Sequence, residues 1–474
     1  MKPIKLFIFI CLLASVSACE LLQPDDIINP NVGEDTFLKS PDAMQSWVNG
    51  TNKSFAEAIG TFAELTELLS DNYFNNYTQS SKYFDIPVIL YTDVDVTALQ
   101  RYIGNLRESA DYGLNKVAQA DPLTTENHLF NLYYIKGYSY LLAGEYFLAL
   151  PVEPGGEVKD WRTQLSLAVE TFRKALEYTG SKEDQAFINT LIARAYHKSG
   201  DKVNAVNYAG KALEYSTDFV RNVEFDGEKG VNNAIQTHIY TTHFQPLPRL
   251  DFLDPKYFEL KNREQRPICI AKAEELYLIL AEASLADNDA GQAKQLLKEL
   301  LALTASRPVE TSINDQLEGR GSDDTRHYPN SSAYKVAASP GEPFRENLVL
   351  DRRPPHLISI PYISGTSVDA AMIDNTPSVD GLLEIVYLMR QEIFFAEGRR
   401  ASDLGFRLPV CEIEAANTSS AAPYIEAQIP PFIPLGQELD AFEMDNDAKT
   451  VVIKHNMNKI IVENKTSEYV IPFF

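Results

Sequence analysis

The sequence predicts a mainly α-helical protein. Helical hairpins stack into one body, and a loop-rich C-terminal layer with a few short β-strands covers it. Three observations carry this prediction. Small residues recur beside aromatics at helical spacing in several paired segments before residue 302. From Ala302 the texture changes to Pro, Gly, Ser and Asp, with short β-like runs such as "HLISIPYI". An apolar leader of different character precedes both. The chain accordingly divides into a leader (1–18), a flexible acidic tether (19–39), a helical region (40–301) and a loop-rich region (302–474) that includes a helix at 381–404.

The leader has the layout of an export signal. Lys2 and Lys5 give a positive start, Leu6 to Ala14 is apolar, and Val16-Ser17-Ala18 are small residues before a cleavage point. The apolar run is too short for a membrane-spanning helix, which needs about 20 residues. An ordinary secretory signal makes no demand for cysteine at the cut. A bacterial lipoprotein signal does, because lipid joins the sulfur before cleavage makes Cys19 the new N-terminus. Cys19 is therefore the expected lipidation site, and two or three acyl chains anchor stably where one binds only marginally. Behind it, Glu20 to Lys39 holds Pro24, Pro30, Gly33 and five acidic residues with little periodicity, a composition suited to a tether.

The helical region contains repeats. In "AFINTLIARAYHKSGDKVNAVNYAGKALEY", residues 186–215, Ala193, Ala205 and Ala212 fall where two helices approach and Gly200-Asp201 makes the turn. This matches the 34-residue tetratricopeptide pattern. A second copy spans 275–301, with Asn288-Asp289 at its turn. A third is split: "LYYIKGYSYLLAGEY", with Gly137, Tyr140 and Gly144, and "LSLAVETFRKALEY", with Ala168, Phe172 and Ala175, flank the surface insertion "PVEPGGEVKDW". An earlier pair covers Met44–Leu69 and Thr97–Ala120. Each hairpin hides its apolar face only against the next, so the units must share one core. Aromatics inside these helices are expected to pack rather than bind.

In the C-terminal region, "GLLEIVYLMRQEIFFAEGRRASDL" reads as one amphipathic helix over 381–404. There Glu392, Glu397, Arg399, Arg400 and Asp403 are close enough for ion pairs and a cap, and Gly398 lets the helix approach a neighbour. The expected role is structural rather than that of a catalytic carboxylate pair. "KTVVIKHNMNKIIVENK" reads as a β pair.

Composition excludes several functions. The formal net charge is -23, and losing Lys2 and Lys5 with the leader makes it more negative, so nucleic acid should be repelled. Cys11 leaves with the leader, and Cys269 and Cys411 remain. One disulfide could join them, but two buried thiols are expected. There is no GxSxG elbow, HExxH helix, P-loop or GxGxxG. His238 and His243 are five apart, off a common helical face, and read as loop or core residues. No Asp/Glu pair stands out as a glycosidase couple. No catalytic residue, metal site or cofactor is expected.

Sugar binding needs less chemistry: an aromatic face for the ring and amides or charged groups for the hydroxyls. "DNYFNNYTQSSKYFD", residues 71–85, offers Tyr73, Asn75, Asn76, Tyr77 and Tyr83 off a helix end. "RGSDDTRHYPNSSAY" offers Arg320, Asp324 and Tyr328, and Trp161 in the insertion is a third candidate. Loop packing is the alternative role for each of them.

These segments resemble the SusD/RagB nutrient-binding outer-membrane lipoproteins of Bacteroidetes. "AEELYLILAEASLADNDAGQAKQLL" is similar to that family's central helix. "MRQEIFFAEGRRASDL" is similar to its Arg-x-Glu motif, although Met389 stands where an acidic residue is usual. "IPPFIP" followed by "QEL" is similar to its C-terminal segment, and the acidic run behind Cys19 resembles a surface-export signal. Arg307 follows a helix end without the family's Arg-rich close. The resemblance implies a non-catalytic, cell-surface lipoprotein that binds oligosaccharide and delivers it to a SusC-like TonB-dependent outer-membrane transporter. Peptide capture is the alternative within the family. A secreted hydrolase and a protein-interaction scaffold are the alternatives outside it.

Overall fold

A computed structural model describes residues 33–75, 82–241, 243–254, 256–259, 263–314 and 328–474. The leader, Cys19 and most of the tether lie outside the described residues. The principal helices are α1 (Ala43–Leu68), α2 (Val94–Tyr112), α3 (Glu126–Tyr146), α4 (Trp161–Leu176), α5 (Lys182–Ser199), α6 (Lys202–Tyr215), α7 (Glu274–Ala286), α8 (Ala290–Ser306), α9 (Val379–Ile393) and α10 (Met457–Glu463).

Successive helices from α1 to α8 pack against one another in chain order, so the first half is a stack of hairpins. Local chemistry sets their ends. Asp93, Asp160, Ser181, Asp201 and Asp289 each cap a helix by accepting a backbone N–H with the side chain. Gly200 ends α5 at φ 81°, a conformation that favours glycine. Ala193, Ala205 and Ala212 are fully buried at the α5–α6 contact. In the split copy, a Cβ on Gly137 would lie 2.6 Å from the Phe172 ring, and one on Gly144 would lie 2.6 Å from Leu165. The expected hairpins are therefore present, and their aromatics pack as foreseen: Tyr134, Tyr138, Tyr140 and Tyr146 are all buried.

The strands are short: β1 (Tyr73–Asn75), β2 (Ala149–Pro151), β3 (Val158–Asp160), β4 (Val220–Val223), β5 (Phe244–Pro246), β6 (Ile268–Lys272), β7 (Val309–Asn314), β8 (Lys335–Ala337), β9 (Leu357–Pro361), β10 (Phe442–Asp445) and β11 (Thr450–Ile453). They form antiparallel pairs β1–β5, β2–β3, β4–β6 and β7–β9, and one sheet in which β11 lies between antiparallel β10 and parallel β8. The largest apolar cluster runs from Phe55 to Ile471 and draws on both the helical and the loop-rich regions. Cys269 and Cys411 are both buried and unpaired.

Two expectations fail. The helix proposed over 381–404 stops at Ile393, and a short helix resumes at Arg400–Asp403. Between them Ala396 (φ 60°) and Gly398 (φ 72°) reverse the chain. The break turns Glu397 inward to Lys256 and Lys272, at 2.6 and 2.7 Å. It also seats Gly398 against α1, where a Cβ would lie 2.9 Å from Ala63 Cα. Second, "NKIIVEN" is helix α10 and not the partner strand of "TVVI". Asn456 caps it, and Met457 and Ile461 bury one helical face on α9.

Candidate ligand-binding site

The 71–85 segment is held at its root by buried charge. Asp71 accepts from Arg400 Nε (2.6 Å) and Nη2 (3.0 Å), and from Gln391 Nε2 (2.9 Å). Asn72 donates to Glu67 (2.7 Å) and accepts from Gln391 (3.0 Å). Glu67 also accepts the Gly398 N–H at 2.7 Å. Burial pushes the Glu67 carboxyl up to about 7, against the lowering effect of those two hydrogen bonds. The Arg-x-Glu motif thus does structural work, as expected, but not within one helix. Arg390 pairs with Asp403, Arg399 reaches Glu275, and Glu392 accepts from Thr366 and Ser367.

From that root, β1 pairs with β5. The Tyr73 ring stacks on Phe395 at 4.8 Å and its hydroxyl donates to Asp254 at 3.2 Å. Tyr73 is fully buried, so its expected role as an exposed sugar platform is corrected: strand pairing with β5 turns it into the core. Asn75 is half-buried, and its N–H donates to Asp85 (2.8 Å), which ties the two ends of the segment together. Tyr83 is 57% exposed. Asn76 and Tyr77 lie outside the described residues.

The second candidate segment arrives at the same corner. Half-buried Tyr328 lies 6.2 Å from both Phe74 and Phe442, ring to ring, and Phe74 and Phe442 are 5.9 Å apart. The Tyr328 hydroxyl donates to Asp251 (3.1 Å), which also accepts from the Leu350 N–H (2.8 Å) and Arg352 Nη1 (2.6 Å). Next to it, Arg353 donates to Asp351 and holds that carboxyl down to about 2. Arg320 and Asp324 lie outside the described residues. Two segments far apart in sequence thus meet around an aromatic cluster, with Tyr83 and Asn330 exposed at their described ends.

Trp161 is elsewhere, at the start of α4. The guanidinium carbons of Arg407 and Arg162 lie 3.8 and 4.1 Å from its ring centroid. The correction concerns stacking alone: cations lie over the ring on which a sugar would stack.

Sequence reasoning also missed a cavity of about 410 Å³ between α2, the β2–β3 hairpin and residues 411–414. Gln100, Arg101, Asn105, Glu108, Val152 and Glu414 contribute to its lining. The insertion after Pro151 was legible as a loop, but nothing in the sequence says that it leans over α2. Among the described residues, no group of three or more His, Cys, Asp or Glu could hold a metal. His238 and His243 do meet, with Nδ1 atoms 3.3 Å apart, and His238 pairs with Glu64 at 3.0 Å. No described helix is long and apolar enough to cross a membrane.

The architecture is that of a known fold. A SusD-like carbohydrate binding protein from Bacteroides vulgatus superposes with a TM-score of 0.51 at 12% identity, over 76% of this chain and 82% of that one. A SusD-like protein from Bacteroides fragilis gives 0.51 at 10% identity, over 78% and 87%. A SusD superfamily protein from the same species gives 0.50 at 11%, over 79% and 89%. No protein-family model matches the chain, and no curated protein sequence matches it. The protein has the SusD-like fold: mainly α, with helical hairpins and a few short strands.

Proposed function

We propose that this chain is a SusD/RagB-type nutrient-binding lipoprotein. In this reading it is anchored to the outer membrane through Cys19, faces the cell exterior, binds oligosaccharide without turning it over, and delivers it to a SusC-like TonB-dependent transporter. The observation that carries the reading is the meeting of Phe74 and Tyr328, with Phe442, at one aromatic corner of a SusD-like fold. One solved protein with this fold, from Bacteroides vulgatus, is described as carbohydrate binding.

The chemistry supports the same reading. A solenoid-like body offers recognition through loops held on a rigid scaffold, and the buried Arg400–Asp71 pair supplies the rigidity here. Isothermal calorimetry with a panel of neutral oligosaccharides tests the proposal. Binding with a negative heat-capacity change, no release of shortened sugars, and weakening by Tyr83→Ala are expected. Binding of peptides and of no glycan would replace oligosaccharide with peptide as the cargo. Turnover of any bound sugar would overturn the non-catalytic reading.

A further inference from the structure

Trp161 and its two arginines form a second polar site away from the aromatic corner. A cavity of about 170 Å³ lies between the start of α4, the end of α5, residues 402–407 and the C-terminal segment 467–474. Arg162 and Arg407 line it, and both guanidiniums sit on the Trp161 ring. Arg407 Nη1 donates to the Gly144 carbonyl at 2.5 Å. Among the described residues neither arginine forms an ion pair, which is unusual in a chain of formal net charge -23. Burial, and then the neighbouring Arg162 charge, push Arg407 down to about 9, with Glu145 acting the other way.

The remaining charges do not neutralise this pair. Asp403 is taken by Arg390 at 2.9 Å and Lys198 at 2.8 Å, and Glu468 is exposed at the rim. Ser467 and Gly200 also line the cavity and bring no charge to it. Two guanidiniums without a counter-ion call for an anion. The volume falls below the roughly 300–1,000 Å³ typical of sites that enclose drug-sized ligands. It suits one sugar unit.

We infer that this cavity is a subsite for a carboxylate-bearing monosaccharide unit of the hexuronate type, with Arg162 and Arg407 holding the carboxylate. The inference rests on the glycan-binding reading above and extends it to acidic glycans.

The chain's tryptophan content makes the test direct. It has 2 tryptophans, and Trp47 is packed elsewhere with its indole N–H donating to the Ser109 carbonyl at 2.8 Å. Galacturonate, galactose and acetate are titrated into the full protein at low ionic strength while indole fluorescence is read. Galacturonate should give a saturable change that vanishes in Trp161→Phe, and galactose should give none. Losing one charge-assisted contact in Arg162→Gln should weaken galacturonate roughly tenfold. This residue is exposed, so that variant folds even if Arg407→Gln, which loses the Gly144 contact, does not.

No response to galacturonate, an equal response to acetate, or unchanged affinity in Arg162→Gln would overturn the subsite. If neutral oligosaccharides still bind by calorimetry in that case, only this inference falls. If galacturonate binds here and no oligosaccharide binds anywhere, the subsite stands and the uptake reading falls.

Discussion

Arg400 donates to Asp71 through Nε and Nη2, at 2.6 and 3.0 Å, with both side chains about 1% exposed. This pair joins the C-terminal Arg-x-Glu motif segment to the root of the 71–85 segment, and it sets how firmly that root is held. Arg400→Ala leaves the Asp71 carboxylate buried without its cation, which typically costs about 3–5 kcal/mol. Urea unfolding should show that loss, and a variant as stable as the parent would refute the anchoring role.

Tyr73 and Tyr83 separate packing from binding within one short segment. Tyr73→Ala empties a core position and should cost about 3–5 kcal/mol of stability. Tyr83→Ala should leave the melting temperature unchanged and weaken oligosaccharide binding roughly threefold to tenfold. Calorimetry and thermal melts on both variants check this, and a reversed pattern would reject the assignment.

Gly398 and Gly230 share φ 72°, but only Gly398 has neighbours within reach of a new Cβ. Gly230→Ala should therefore cost about 1–2 kcal/mol, the left-handed penalty alone. Gly398→Ala adds contact with Ala63 and Thr66 and should cost clearly more. Equal unfolding midpoints for the two variants would show that the turn after α9 does not depend on close approach to α1.

Ala205 is fully buried where α6 meets α5. Ala205→Leu overpacks that contact and should lower stability by about 1–3 kcal/mol. A parental melting temperature would mean the hairpin accommodates a large side chain there.

Glu67 gives a pH signature with a definite sign. Its folded value, about 7, lies above the ordinary 4.5, so the folded state holds the proton more tightly than the unfolded chain. Its contribution is fully present below about pH 4.5, declines as pH rises, and is lost above about pH 7, over a span on the order of 3 kcal/mol. Glu67→Gln does not titrate, so its stability relative to the parent should rise from pH 5 to pH 8. Parallel stability–pH curves for parent and variant would dismiss Glu67 as the titrating group.

The Cys19 expectation is tested in cells. Cys19→Ala should release the protein from the membrane in soluble form, and continued membrane retention would reject lipid anchoring. Protease treatment of intact cells should cleave the wild-type protein if it faces outward.

By itself the sequence determined the helical hairpins, because their signals are local. A small residue at a fixed offset, a capping Asp or Ser and a Gly turn such as Gly200 act over a few residues and survive in any context. It also indicated that residues 381–404 carry a structural motif, whereas the structure decided that Cys269 and Cys411 stay unpaired. Only the tertiary structure decided where the motif's charges go. Its strongest ties, Arg400 to Asp71 and Glu397 to Lys256 and Lys272, span long stretches of chain, and Glu397 reaches its partners only because the helix breaks. For the same reason the sequence placed Tyr73 among exposed loop aromatics and Trp161 among sugar platforms. Whether an aromatic ring faces solvent depends on what arrives from elsewhere: β5 and Phe395 on Tyr73, Arg407 on Trp161. Helix and cap signals are short-range interactions, whereas burial and charge pairing are settled by long-range contacts that no local pattern encodes.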